Sequence, residues 1–264
     1  TKRHGAGSGA SRLISGTLPP HHALEEKIAE WKGTQAALSF ANGYATAIGV
    51  LGAFLTKGDV VILDKLCHAS LIDGARQSGA TLRVYPHNDL NKLEDLLGHY
   101  RERLPGSSRL IIVTESIFSM DGDRAPLPEI INLAEQHHAL LLLDEAHAVG
   151  ILGSGGQGLA EELGIQDRVT FQMGTLGKAI GSGGGYVAAS RSWIDLLLNK
   201  ARPFIYSTAP PPAQAAASLC GIEVITSSRG EALRNRLWSN ISRLAELLGK
   251  KPISAIIPVI LGTN

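Results

Sequence analysis

Short β-rich apolar runs alternate with longer helical patterns along nearly the whole chain, and this alternation limits the fold more than any other feature. Val60–Leu63, Leu82–Tyr85, Leu110–Thr114, Leu140–Leu143, Val169–Met173 and Tyr186–Ala189 read as buried strands. Between them lie helix candidates at His22–Trp31, Tyr44–Leu55, Ala69–Ser78, Leu90–Arg103, Pro128–His138 and Ser192–Ala201. Strands apolar on both faces, joined by crossovers of roughly 10–20 residues, imply an α/β fold with a mostly parallel central sheet covered by helices. Asn88–Asp89 is placed to cap a helix, and Pro128 sits where a first-turn proline is tolerated. Right-handed crossovers then gather the loops at the carboxyl ends of the strands, where open α/β sheets bind ligands.

Pro210–Pro212 breaks the alternation and opens a helical tail, Ala213–Ser227 and Glu231–Leu248. The final stretch, Ile253–Leu261, reads as a strand that stops at Gly262–Asn264 without a turn or cap. An unpaired apolar strand is a poor ending for a domain, so the C-terminal domain is expected to be truncated. Thr1–Arg12, a Gly-rich segment with no element before it, is read the same way. Residues 1–228 are expected to form a large domain and residues 229–264 the start of a smaller one.

Charge and composition remove several classes. Against 24 Asp+Glu stand 25 Lys+Arg, a formal charge of +1, so no dedicated nucleic-acid or anionic-membrane surface is expected. Apolar runs such as Ala139–Leu143 fall far short of the roughly 18 residues that span a bilayer, and no signal-peptide pattern opens the chain. Cys67 and Cys220 form no CxxC pair, which argues against a disulfide scaffold or thiolate zinc site and fits a reducing cytoplasm. No metal is expected. The chain holds 30 Gly in 264 residues, about 11% against a typical ~7%, and the excess falls in loops.

Motif spacing narrows the chemistry. Neither Gly177-Lys178 nor Gly249-Lys250 has the surroundings of a phosphate loop: Gln172 and Ala179 break the first, and Lys251 breaks the second. Gly153–Gly158 matches GxGxxG by letter but lies ten residues past Leu143, so a flexible glycine loop is the expectation. No GxSxG or HExxH occurs.

Thr175-Leu-Gly-Lys178 followed by Ala-Ile-Gly-Ser-Gly-Gly-Gly185 is more informative. Small neighbours let a planar group approach the backbone and leave the amine room to form a Schiff base. Alone, Lys178 reads as an ordinary surface lysine. Asp144 and His147 follow an apolar strand within Asp144-Glu-Ala-His147, and together with Lys178 they point to pyridoxal phosphate, whose pyridine nitrogen needs an acid. His68, in a strand-to-helix loop, is either a solvent-facing helix-start residue or one that stacks on a flat cofactor. Asn42-Gly43-Tyr44 opens a helix, and its backbone amides suit a phosphate. Ser119 follows the strand Leu110–Thr114 and could donate to a phenolic oxygen. Thr208 is either a turn hydroxyl or a further donor.

These segments resemble the α-oxoamine synthases, pyridoxal-phosphate enzymes of fold type I. The resemblance is carried by Gly7–Arg12 with Ser15–Thr17, His21–Leu24 with Glu25, Asn42–Tyr44, His68–Ser70, Thr114–Asp123, Asp144–His147, Thr175–Lys178 and Tyr206–Thr208, in the family's order. It implies a PLP-dependent transferase fold with residues 1–228 as the cofactor-binding domain. It further implies that Lys178 bonds pyridoxal 5'-phosphate covalently, Asp144 pairs with the pyridine nitrogen, His147 and Ser119 bond the phenolic oxygen, and His68 stacks on the ring. Thr175 and the Gly43–Tyr44 backbone would hold the phosphate, with Thr208 reaching in from the other subunit of a homodimer whose active site is shared. Ser119-Met-Asp-Gly-Asp123 before Ala125-Pro-Leu127 is most similar to the biotin-pathway member. That implies decarboxylative condensation of L-alanine with a pimeloyl thioester, with glycine-using members as near neighbours. The family's carboxylate-binding arginine has no matching position here.

Overall fold

The computed structural model describes residues 1–262. Seven strands, β1 (Ala36–Phe40), β2 (Val60–Asp64), β3 (Thr81–Tyr85), β4 (Leu110–Glu115), β5 (Leu140–Asp144), β6 (Phe171–Thr175) and β7 (Gly185–Ala189), form one sheet in the order β1-β7-β6-β5-β4-β2-β3. β7 runs antiparallel to both β6 and β1, and every other neighbouring pair is parallel. β2 and β4 are buried along their whole length, which is why their sequences are continuously apolar rather than alternating.

The helices are α1 (Pro19–Lys32), α2 (Gly43–Phe54), α3 (Ala69–Ser78), α4 (Leu90–Arg101), α5 (Leu127–Gln136), α6 (Leu159–Glu162), α7 (Arg191–Lys200), α8 (Arg202–Ile205), α9 (Pro212–Thr226) and α10 (Ser228–Leu247). Period-two alternation along β1 and β7 divides the core between the two faces of the sheet. Leu38, Phe40, Val187 and Ala189 join the large cluster under α2 and α7, whereas Ala37, Tyr186 and Ala188 join Leu24 and Ile28 of α1 and Ile222 of α9. Arg12 ties the N-terminal segment to this frame through a two-pronged, buried pair with Glu25 (2.8 and 2.9 Å), and Glu25 also accepts from Ser39 of β1.

Three expectations are corrected, and one strand is added. Residues 253–261 form no strand: they find no ladder partner, Pro258 has no N–H to give one, and Ser254 bonds the Gly122 carbonyl instead. The strand expected at Val169–Met173 begins at Phe171, because Gln166–Arg168 form a 3₁₀ turn ahead of it. β1 was not anticipated. Gly153–Gly158 is a pinned loop: Glu161 accepts the Gly155 and Gln157 amides, and Trp31, Lys32 and Arg234 bond its carbonyls. No helix among the described residues is long and apolar enough to cross a membrane.

Candidate active site

The chain turns outward from β2 to β3 on one side and from β4 to β5 on the other, so the strand order reverses between β2 and β4. At such a reversal the loops diverge and leave a crevice at the strands' carboxyl ends. A cavity of about 160 Å³ opens there, lined by residues from the ends of β4, β5 and β6 and the starts of α2 and α3.

One wall presents free backbone amides that could receive an anion. Asn42 caps α2 by accepting the Ala45 N–H at 2.8 Å, which leaves the amides of Gly43 and Tyr44 without an intrahelical acceptor. Gly185 makes this wall possible, since a Cβ there would run into Thr46 and the backbone of Asn42 and Gly43. Thr175 ends β6 against Gly43, its hydroxyl donating to Gly184 O at 3.1 Å and accepting the Gly177 N–H at 3.2 Å. Tyr44 stands exposed at the mouth and donates its hydroxyl to Asp73 at 2.9 Å.

The opposite wall is acidic and buried. Asp144, at the end of β5, is 5% exposed, and its Oδ1 accepts the Ala146 N–H at 2.9 Å; no other bond to its carboxylate is made among the described residues. Burial raises its pKa, against the pull of Ala146 N–H, Lys178 and His68. Glu115, at the end of β4, is buried too, and burial followed by the charge of Asp144 pushes its carboxyl up. It accepts the backbone N–H of His68 at 2.5 Å. His68 caps α3: its Nδ1 accepts Ser70 N–H at 3.2 Å and stands 2.8 Å from the Ser70 hydroxyl.

Lys178 closes the cavity. Its stem is exposed in the loop after β6, but its Nζ turns inward to within 2.7 Å of His147 Nε2. Burial lowers the Lys178 pKa, opposed by Asp144 and Glu115. Burial and then the charges of Lys178 and His68 drive His147 down to about 4, so the ring is neutral at pH 7 and accepts from the ammonium.

Gly43, Tyr44, His68, Asp144, His147, Thr175 and Lys178 line one cavity. Ser119 and Thr208 are not on its lining: Ser119 lies four residues past β4 in a turn, and Thr208 is exposed and bridges Ser11. Glu115 and Ser70, which do line it, escaped sequence reading, although Glu115 carries the same mark as Asp144, an acid closing an apolar strand.

A family model described as aminotransferase class I and II matches residues 1–260. The chain belongs to this family. Within it, the relatives and solved neighbours place the chain among the α-oxoamine synthases. It is 51% identical over 236 residues to an 8-amino-7-oxononanoate synthase of Geobacter sulfurreducens, covering 89% of this chain and 59% of that one. A synthase of the same name from Anaeromyxobacter sp. (strain K) is 49% identical, with 99% and 66% covered. The chain thus spans about 59–66% of the length of these two curated relatives. Among solved structures, serine palmitoyltransferase from S. paucimobilis with a bound PLP–myriocin aldimine superposes with a TM-score of 0.93 at 32% identity, covering 99% of this chain and 68% of that one. An 8-amino-7-oxononanoate synthase from Francisella tularensis gives a TM-score of 0.76 at 27% identity, with 92% and 69% covered.

Pyridoxal 5'-phosphate is the cofactor of this family, and the cavity fits it on its own chemistry. A reactive amine, a buried carboxyl with an unpaired oxygen and an anion-ready helix start share one small space.

Proposed function

We propose that the protein condenses L-alanine with a pimeloyl thioester, carried by CoA or a carrier protein, to give 8-amino-7-oxononanoate, CO₂ and free thiol for biotin synthesis. The observation that carries this reading is the 49–51% identity to synthases of that name in a chain whose cavity unites Lys178, Asp144, His147 and His68. The protein is read as a cytoplasmic homodimer with shared sites, and residues 229–264 as the start of a small domain.

When bound, pyridoxal 5'-phosphate supplies an aldehyde that condenses with amines and a ring that draws electrons from the substrate's α-carbon. The Gly43 and Tyr44 amides and Thr175 would hold its phosphate, Asp144 its ring nitrogen, and His147 with Ser119 its phenolic oxygen. His68 would cover the ring, and Thr208 of the partner subunit would reach the phosphate.

Lys178 acts twice. Its lowered pKa makes the neutral amine accessible as a nucleophile, and the same amine, once released, removes the α-proton of alanine. Asp144 is a carboxyl that burial has driven toward neutrality, and a cationic partner restores its charge and holds that partner protonated. His147, neutral and acceptor-ready beside Lys178, steers the amine. His68 later returns a proton near the α-carbon.

The test is a panel of alanine, glycine and serine, each paired with pimeloyl-, acetyl-, succinyl- and palmitoyl-CoA and read by thiol release. Alanine with pimeloyl-CoA should be fastest. A glycine–acetyl maximum would reassign the substrates to those of a glycine C-acetyltransferase. Transamination without thiol release would overturn the reaction class.

A further inference from the structure

Beside the cavity, outside its lining, three loops meet on one imidazole. His87, between β3 and α4, directs Nδ1 to Asp64 Oδ1 at 3.0 Å and Nε2 to Asp123 Oδ2 at 2.7 Å. Asp64 ends β2 with its side chain wholly buried, and Asp123 lies between β4 and α5. Asn88 doubles the link: its backbone N–H donates to Asp64 Oδ2 at 2.9 Å and its side-chain amide to Asp123 Oδ2 at 3.0 Å. To do so it adopts a left-handed φ of 54°, which Asn accepts at less cost than most residues. Phe118 meets the His87 ring edge-on, 4.4 Å between centroids.

Both ring nitrogens face carboxylate oxygens, which accept but do not donate. The Asn88 amide nitrogen also stands 3.2 Å from Nε2, farther than Asp123 at 2.7 Å, and its two N–H groups have the Asp123 carboxylate and the Arg124 carbonyl as acceptors. A neutral imidazole can donate through only one nitrogen, so the imidazolium alone satisfies both contacts. Burial opposes that charge, but the hydrogen bonds and charges of Asp64 and Asp123 outweigh it and raise the pKa. No other charged side chain among the described residues bonds to the ring; Arg124, next to Asp123, turns to Glu162 and the Ile253 carbonyl.

Each carboxylate is rooted in a turn that delivers a site residue. Asp64 Oδ1 accepts the Leu66 N–H at 2.8 Å and its carbonyl accepts Cys67 N–H at 3.1 Å, which fixes the turn into His68. The Asp123 carbonyl accepts Phe118 N–H at 3.1 Å, closing the turn that carries Ser119. We propose that His87 is a positioning residue: by bridging Asp64 and Asp123 it locks the β2–α3, β3–α4 and β4–α5 loops together and sets how His68 and Ser119 are presented. This rests on the reading of the cavity as a pyridoxal-phosphate site.

The first measurement uses the unaltered, cofactor-free protein. An NMR titration of His87 should find both ring nitrogens protonated at pH 7, and a neutral ring there overturns the proposal. The second compares His87→Gln with the parent. Amide exchange in residues 65–68 and 118–123 should quicken at least about tenfold, the factor that loss of one charged hydrogen bond carries, with the β5 and β6 amides unchanged. Retention of pyridoxal phosphate should fall with it, and Asp123→Asn should give a smaller effect of the same sign. Unchanged exchange and retention overturn the proposal, even if alanine and pimeloyl-CoA are condensed normally. If retention falls in the variant while the parent condenses no thioester, the positioning role stands and the substrate reading fails.

Discussion

His147 and His87 both follow the carboxyl ends of parallel strands, β5 and β3, yet their surroundings drive them to opposite charge. Both lose water on folding, which by itself disfavours the imidazolium. For His147 the charge of Lys178 adds to burial, and its pKa falls to about 4. His87 meets two carboxylates and rises above the ordinary histidine value. Burial is the largest single influence on each ring, and the sign of the partners decides whether the drop it causes is deepened, as at His147, or reversed, as at His87. A neutral ring can take a hydrogen bond from an amine that must react, whereas a charged one can tie loops together.

Removing the cation is the strongest test of that contrast. Lys178→Ala should abolish borohydride fixation of the cofactor and reduce thiol release by more than about a thousandfold. It should also let the His147 pKa climb from about 4, followed by NMR; a fixed value would mean that burial alone keeps the ring neutral. Asp144→Asn comes next, with thiol release down about 10²- to 10⁴-fold. Because burial raises the Asp144 pKa in the fold, its ionisation weakens folding as pH climbs past the unfolded value. The asparagine variant without cofactor should therefore melt higher at pH 7, by roughly 2–4 °C if about 1 kcal/mol is recovered. A lower melting point would show that the carboxylate is better compensated than its single bond suggests.

The pH dependence of stability separates the two histidines directly. For His87 the folded pKa is raised, so its contribution is fully present below about 6.5 and is lost as pH rises through the folded value. For His147 the folded pKa is lowered, so stability is lost as pH falls from about 6.5 toward about 4. Denaturation midpoints should then lose their alkaline decline in His87→Gln and part of their acid decline in His147→Gln. Slopes of the same sign would break the comparison. The smallest effect is expected from Tyr44→Phe, which removes only an exposed bond to Asp73 and should change cofactor affinity by about twofold at most.

What could be read from the chain follows from how local each signal is. β2, β4 and β5 announce themselves because strands buried on both faces must be continuously apolar, and Asp144 stands out as the acid that ends such a run. Ala36–Phe40 has no β-branched residue and pairs with β7, some 150 residues later, so nothing local marks it. Residues 253–261 err the other way: their apolar content suggests a strand, but a strand exists only where a ladder partner does. Glycines in Gly153–Gly158 suggest slack, but besides nearby Glu161 the loop is pinned by Trp31 and Lys32, more than 120 residues away in sequence. The His87 clasp was out of reach for the same reason, its partners lying 23 and 36 residues away.

The anion wall at the start of α2 works by a different rule from everything around it. Its donors are the peptide groups of Gly43 and Tyr44, which hold no proton that titrates in water's working range. The donor side of such a grip would not change with acidity, whereas Asp144, His147 and Lys178 across the cavity are all shifted titrating groups. On the proposed reading, such a division of labour would let the reacting groups be retuned, residue by residue, without loosening the handle on the cofactor.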